Sequence, residues 1–333
     1  MLSVADIMEQ ALRRTIAESD AGDLFGTGPD RAISAYRSFW VPETNPGVII
    51  ECPLLGAASY DVLVGPYLGR ADPSMHLPSA NPPACHAAYD WATRLGISPR
   101  VDLFFELDAD GPERQHAGIH CKHWGRLELA TEFYEVIGEG WRAPQYRSVE
   151  ERLPEGWRAE FAAVFAGRVG TPTRLEVLLS PEAQRLVGES LEYLRSCFDQ
   201  MGFVAYSDQM LRDICRLAGL SRLCSLQFDI LHDGTLGSTF SITSCFEAMG
   251  SSSFKQFGDD DGIGRVCNTY EQMGVADGRW RLAERALFAT KRHVLTGTGF
   301  REIVAFTIPN CSKAKWTDAK PQPAKFYFTV AVL

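Results

Sequence analysis

Residues 324–333, AKFYFTVAVL, alternate so that Phe326, Phe328, Val330 and Val332 share one face of an extended strand while Lys325, Tyr327 and Thr329 share the other. The same parity recurs along the chain. Leu175 and Val177 oppose Arg174 and Glu176, Phe228 and Ile230 oppose Gln227 and Asp229, and Phe240 and Ile242 oppose Thr239, Ser241 and Thr243. Strands of this kind bury one face only, so a sheet built from them must turn its polar alternates toward something other than a second apolar layer.

The order of elements narrows the choice further. GVIIECP (47–53) and SYDVLVGPY (59–67) read as a strand pair, then PACHAAYDWATRLG (83–96) as a helix. RVDLFFELD (100–108) and HAGIHCKHWG (116–125) form the next strand pair, followed by two stretches read as helices, LATEFYEVIG and EGWRAEFAAVFAG. TRLEVLLS (173–180) leads into two more helical stretches and then a hairpin, 224–247, with Asp233-Gly234 in its turn. IGRVCNTYEQMG and DGRWRLAERALFATKRHVL read as another helical pair, which places Lys291, Arg292 and His293 near a helix end. FREIVAFTIP and AKFYFTVAVL supply the last strands. Hairpins separated by helical excursions do not match βαβ winding. Closing the strands into an antiparallel barrel of about ten, with helices outside and a polar lumen inside, satisfies both the order and the parity and leaves room for a ligand.

With 333 residues and 45% hydrophobic content the chain can bury a large core, and one domain over residues 1–333 is expected, with 1–45 as a helical segment packed on the barrel. The net charge of −9 argues against a general nucleic-acid surface. Nine cysteines, with no CxxC pair among them, read as reduced thiols. The amphipathic N-terminus is not a signal peptide and no stretch is long enough to span a membrane, so the expectation is a cytoplasmic protein, and a monomer.

Within HAGIHCKHWGRLEL (116–129), parity puts His120, Lys122 and Trp124 on one face and Ile119, Cys121 and His123 on the other. An H-x-x-H chelate works on a helix, not on this strand, so Lys122 in the lumen with Arg126 at the rim is the expected arrangement.

The segments AGIHCKHWGRLELA, FAGRVGTPTRLE, SLQFDILHDGTLG and PAKFYF together resemble the peptide prenyltransferases of cyanobactin biosynthesis, relatives of the aromatic prenyltransferases with the ABBA (ββαα-repeat) barrel; the likeness runs from about residue 45 to the C-terminus. The resemblance implies an α+β ABBA barrel that transfers a dimethylallyl or geranyl group from an allylic diphosphate to a ribosomal, typically macrocyclic, peptide. It also implies Mg²⁺ associated with the diphosphate. GDDDGIG (258–264) reads instead as acidic residues ahead of a helix start.

Ionisation of an allylic diphosphate creates concentrated negative charge beside a diffuse carbocation. Arg70, Lys122, Arg174 and Lys325, with the Tyr327 hydroxyl, are the expected diphosphate ligands. Tyr60, Phe104 and Tyr327 are expected to shield the cation. Thr239, Ser241 and Thr243 are expected beside the prenyl tail. Glu51 matches the position from which enzymes of this fold present a carboxylate and is the expected base, with Glu176 and Asp229 as further acceptor-side carboxylates. Arg174 and Glu176, two apart on one face, can alternatively form an internal ion pair. The carboxylates favour an arginine acceptor, with tyrosine as the other leading choice. Rival readings are a prenyltransferase for a small aromatic metabolite and a non-catalytic barrel that binds anionic ligands.

Overall fold

The computed structural model describes residues 3–39, 46–66, 83–95, 102–107, 118–165, 170–246, 262–296 and 299–333. Helices α1 (Val4–Ile16), α2 (Gly22–Phe25) and α3 (Asp30–Phe39) precede strands β1 (Pro46–Pro53) and β2 (Asp61–Pro66). Then come α4 (Pro83–Leu95), β3 (Asp102–Leu107), β4 (Gly118–Lys122), α5 (Leu127–Val136), α6 (Arg142–Glu150), β5 (Trp157–Phe165) and β6 (Thr173–Leu179). Helices α7 (Pro181–Glu189), α8 (Leu191–Met201) and α9 (Asp208–Leu220) lead to β7 (Leu223–Ile230) and β8 (Leu236–Cys245). The chain ends with α10 (Gly262–Gln272), a 3₁₀ helix (Gly278–Ala286), β9 (Phe288–Thr296), β10 (Gly299–Thr317) and β11 (Lys320–Val332).

The strands are antiparallel in the order β11-β1-β2-β3-β4-β5-β6-β7-β8-β10, and β10 pairs back onto β11, so ten strands close into a barrel. The eleventh strand, β9, joins β10. One edge of β10 is divided between two neighbours: Gly299 to Thr307 pair with β9, and Cys311 to Thr317 pair with β8. As the alternation requires, Phe326, Phe328, Val330 and Val332 point outward into a core shared with the helices. In one part of that core Phe228 and Phe240 meet edge to face at 5.1 Å, and Phe198 from α8 packs on Phe240 at 5.3 Å. Serines start the covering helices. Ser180, Ser190 and Ser207 each accept a backbone N–H in the first turn, worth about 1 kcal/mol apiece. The N-terminal helices pack on the closing strands, and Thr15 of α1 hydrogen-bonds Thr307 of β10 at 2.6 Å.

Two helix readings are corrected. Residues 157–165 are strand β5, not helix. A β-bulge between Ala159 and Phe161 moves the outward set from Trp157 and Ala159 to Ala162 and Val164, which destroys simple alternation in an alanine-rich stretch. Residues 278–296 are a 3₁₀ helix followed by β9, so Lys291, Arg292 and His293 lie exposed on a strand, with Lys291 paired to Glu302 at 2.9 Å. Among the described residues β9 has one sheet neighbour, and charge along such an edge discourages pairing with another chain. No helix among the described residues is long and apolar enough to cross a membrane.

On the outward face of β4, His123 is fully buried and shares a hydrogen bond with the Tyr146 hydroxyl at 2.7 Å. Burial, then Arg158, lowers its pKa from 6.5 to about 4, so the fold holds a neutral imidazole. The stabilisation is therefore complete above pH 6.5 and lost as pH falls toward 4. Between pH 7.5 and pH 5, urea unfolding of the parent chain is expected to show a loss about 2 kcal/mol greater than that of His123→Gln, which cannot titrate. Equal losses in the two proteins would remove His123 as the source.

Candidate active site

The barrel encloses a cavity of about 520 Å³ reached by every one of its ten strands, a volume suited to a small ligand. Its wall is segregated. Gly47, Ile49, Leu63, Gly65 and Phe104 make an apolar strip on β1 to β3. Gly65 is required there, because a Cβ at that position would stand 2.6 Å from the Phe104 ring. The rest of the lining includes Glu51, Glu106, Lys122, Glu160, Arg174, Glu176, Gln227, Lys313 and Tyr327.

Glu51 is buried on the inner face of β1. Its register partner Tyr327 and the neighbouring inward residue of β11, Lys325, both contact it, and Lys325 forms an ion pair with its carboxylate. Burial pushes the Tyr327 phenol well above its ordinary value, and the Glu51 charge adds to that. Burial disfavours the Lys325 ammonium, but Glu51 more than offsets this and raises its pKa.

A second group spans β3, β4, β6 and β7. Glu106 shares a hydrogen bond with His120 at 2.7 Å and faces Arg174 at 3.8 Å, while Arg174 reaches Asp229 at 3.8 Å on its other side. Burial alone would raise the Glu106 carboxyl. The His120 hydrogen bond, together with His120, Arg174 and Lys325 charge, overturns that and holds it far below the usual carboxylate range. Asp229 goes the other way: burial raises it, only partly countered by Arg174, Lys315 and Lys313. Lys315 is lowered by burial and by Arg174 and Lys325.

A third group lies on β4 to β7. The Lys122 ammonium is 3.7 Å from the Trp124 ring centroid, 5.3 Å from that of Phe161 and 3.5 Å from the Glu160 carboxylate. Burial raises the Glu160 pKa, Lys122 opposes this, and Glu176 adds to it. Glu176 accepts a hydrogen bond from Ser225.

Set against the expected residues, Glu51, Phe104, Lys122, Arg174, Glu176, Thr243 and Tyr327 all line the cavity. Others need correction. Tyr60 lies outside the barrel, where it packs edge to face on Phe25 and donates to the Gly28 carbonyl at 2.7 Å, because its position on the β1–β2 hairpin has outward parity. It is no cation shield. Lys325 faces inward and pairs with Glu51, and it reaches the cavity through that carboxylate, not as a lining residue. Asp229 faces Arg174 at 3.8 Å and does not line the cavity. The internal pair expected between Arg174 and Glu176 is replaced by cross-strand partners for each. Thr239 and Ser241 fall below the cavity, opposite Thr317 and Lys315. Arg70 and most of 258–264 lie outside the described residues. His120 and His123 point to opposite faces, the first to Glu106 and the second to Tyr146.

Sequence reasoning missed Glu106, Glu160, Phe161, Lys313 and Lys315. Glu106 was available from parity, two residues beyond Phe104. Glu160 and Phe161 were hidden by the bulge. Lys313 and Lys315 lie on β10 beyond the point where the strand was read to stop.

No family model matches the chain, and no curated protein matches it. Solved structures do. The 5-dimethylallyltryptophan synthase from Streptomyces coelicolor superposes with a TM-score of 0.51 at 13% identity, covering 98% of this chain and 97% of that one. The same synthase in complex with DMASPP and Trp gives a TM-score of 0.50 at 13% identity, covering 98% of this chain and 94% of that one. A 6-dimethylallyl tryptophan synthase gives 0.51 at 12% identity, covering 100% and 96%. The closed ten-strand barrel, its enclosing helices and these superpositions together give this chain the ABBA fold of the aromatic prenyltransferases.

Proposed function

We propose that the chain is a prenyltransferase that moves a dimethylallyl or geranyl group from an allylic diphosphate to a side chain, arginine or tyrosine, of a ribosomal peptide, as in cyanobactin-like biosynthesis. The observation that carries this reading is the juxtaposition, in one cavity, of a buried carboxylate held by Lys325 and Tyr327, an aromatic and aliphatic strip, and several cations. The strip Ile49, Leu63 and Phe104 suits the hydrocarbon tail. Lys122, Lys313 and Arg174 suit the departing diphosphate, since charge-assisted donors placed where negative charge develops lower the barrier to ionisation. Phe104 and Phe161, with ring centroids 6.5 Å apart, suit the delocalised cation. Glu51 suits the proton released by the acceptor.

Among the described residues no cluster of three or more His, Cys, Asp or Glu side chains is arranged to hold a metal. Mg²⁺ enters this proposal as a counter-ion carried by the diphosphate. A second reading, a small aromatic acceptor, draws on the tryptophan bound in the superposed Streptomyces complex.

The test is incubation with dimethylallyl and geranyl diphosphates, Mg²⁺, free tryptophan and peptides containing arginine or tyrosine, read by mass spectrometry. A gain of one or more isoprene units on a peptide supports the reading. Modification of free tryptophan alone selects the second one, and no gain on any acceptor defeats both. In the active assay, Lys122→Ala and Lys325→Ala are each expected to lower kcat/KM roughly tenfold or more. Near-parent values in both would take them out of the site.

A further inference from the structure

Two local departures from regular backbone converge on one spot of the cavity wall. Trp124 follows β4 with φ of 56°, a left-handed conformation that a bulky residue adopts only at a cost of about 1–3 kcal/mol, and its indole lines the lumen. On the adjacent strand, Glu160 is the extra residue of the β5 bulge, so Glu160 and Phe161 both line the cavity although they are consecutive. Glu176 is the cross-strand partner of Phe161. Nearby on the same wall, the Thr243 hydroxyl is buried and has no hydrogen-bond partner among the described residues; Thr243 stands opposite Ser225, which holds Glu176. Strain, bulge and an unpartnered hydroxyl thus gather around a cage of aromatic faces and carboxylates.

The cage already holds a cation, the Lys122 ammonium. A diphosphate in the lumen offers that flexible side chain a stronger partner and leaves Glu160 without the Lys122 ammonium. We propose, resting on the prenyl-transfer reading above, that Trp124, Phe161, Glu160 and Glu176 form an acceptor subsite for the guanidinium of an arginine side chain. A guanidinium is planar, stacks on an indole, and offers paired N–H donors that match a carboxylate edge. In the transfer, the C1–O bond of the donor breaks with its electron pair leaving on the diphosphate. Glu51, which lines the same cavity, takes one proton from a guanidinium nitrogen as that nitrogen forms the new bond to C1, so the prenylated product keeps its positive charge.

Binding, rather than turnover, tests this. The full chain with inorganic pyrophosphate present is titrated by calorimetry with N-acetyl-arginine N-methylamide, its neutral isostere the citrulline derivative, and the tyrosine derivative. The arginine probe is expected to bind at least about tenfold tighter than the citrulline probe, and Glu160→Gln or Glu176→Gln, each checked for an unchanged melting temperature, to shrink that ratio to about threefold or less. Equal binding of arginine and citrulline, tighter binding of tyrosine, or an unchanged ratio in both variants would overturn the subsite. The two readings fail separately. A chain that prenylates without preferring arginine to citrulline loses only this inference, whereas one that prefers arginine but never consumes an allylic diphosphate loses the proposed activity.

Discussion

Glu51→Gln is expected to lower kcat for prenyl transfer by about 10² to 10⁴ while leaving the melting temperature close to that of the parent. The amide keeps the volume and most of the contacts of a side chain that is buried on β1 beneath the closing strand β11. What it removes is the charge that Lys325 and Tyr327 converge on, and with it a group able to take the acceptor's proton. Lys325 retains the nearby charges of Asp61 and Glu106, so the barrel seam between β1 and β11 should survive. Steady-state kinetics with saturating allylic diphosphate, alongside thermal melts, checks both halves. Parent-like turnover would show that the proton leaves by another route.

Arg174→Met should act on the fold as strongly as Glu51→Gln acts on the chemistry. Arg174 stands between Glu106 and Asp229, and the three side chains are only 27%, 12% and 15% exposed. Deleting the cation leaves two carboxylates facing each other in the lumen, with an expected loss of about 3 kcal/mol at pH 7.5, the lower end for a broken buried pair because solvent reaches the guanidinium. The sign of the pH dependence is determined. With Arg174 present, Glu106 ionises far below an unfolded carboxyl, so its contribution exists above the unfolded value and vanishes as pH falls. In the variant both carboxyls rise and take up protons on acidification, so the deficit relative to the parent should shrink by pH 5. Urea unfolding at the two pH values measures it, and adding Asp229→Asn should restore part of the lost stability at pH 7.5. A deficit that grows on acidification would refute the assignment.

Much of this architecture was legible because strand parity is a strong physical signal. Wherever one face of a strand is buried, a one-residue slip would expose the whole apolar set, so residues such as Arg174, Glu176, Lys122 and Tyr327 had to face inward together. The signal fails where the backbone itself breaks step. The single inserted residue Glu160 made β5 look helical and concealed two members of the wall. Tyr60 has the aromatic character of a cation shield but stands one residue before β2, whose odd-numbered residues Asp61, Leu63 and Gly65 are the inward ones, so its own parity is outward. Which cation pairs with which carboxylate was beyond the sequence altogether. Arg174 finds Glu106 and Asp229 on different strands, and only the register across β3, β4, β6 and β7 brings those groups together.

Among the described residues Lys122, Arg174, Lys313, Lys315 and Lys325 face into the barrel together with Glu51, Asp61, Glu106, Glu160, Glu176 and Asp229. Lys122, Arg174 and Lys325 are already paired with acids, so holding a solitary polyanion on them means drawing them away and stranding those acids. Guests of opposite sign that arrive together leave the tally of charge undisturbed. In electrostatic terms the barrel is a host for ion pairs, and the occupancy of either half should make room for the other.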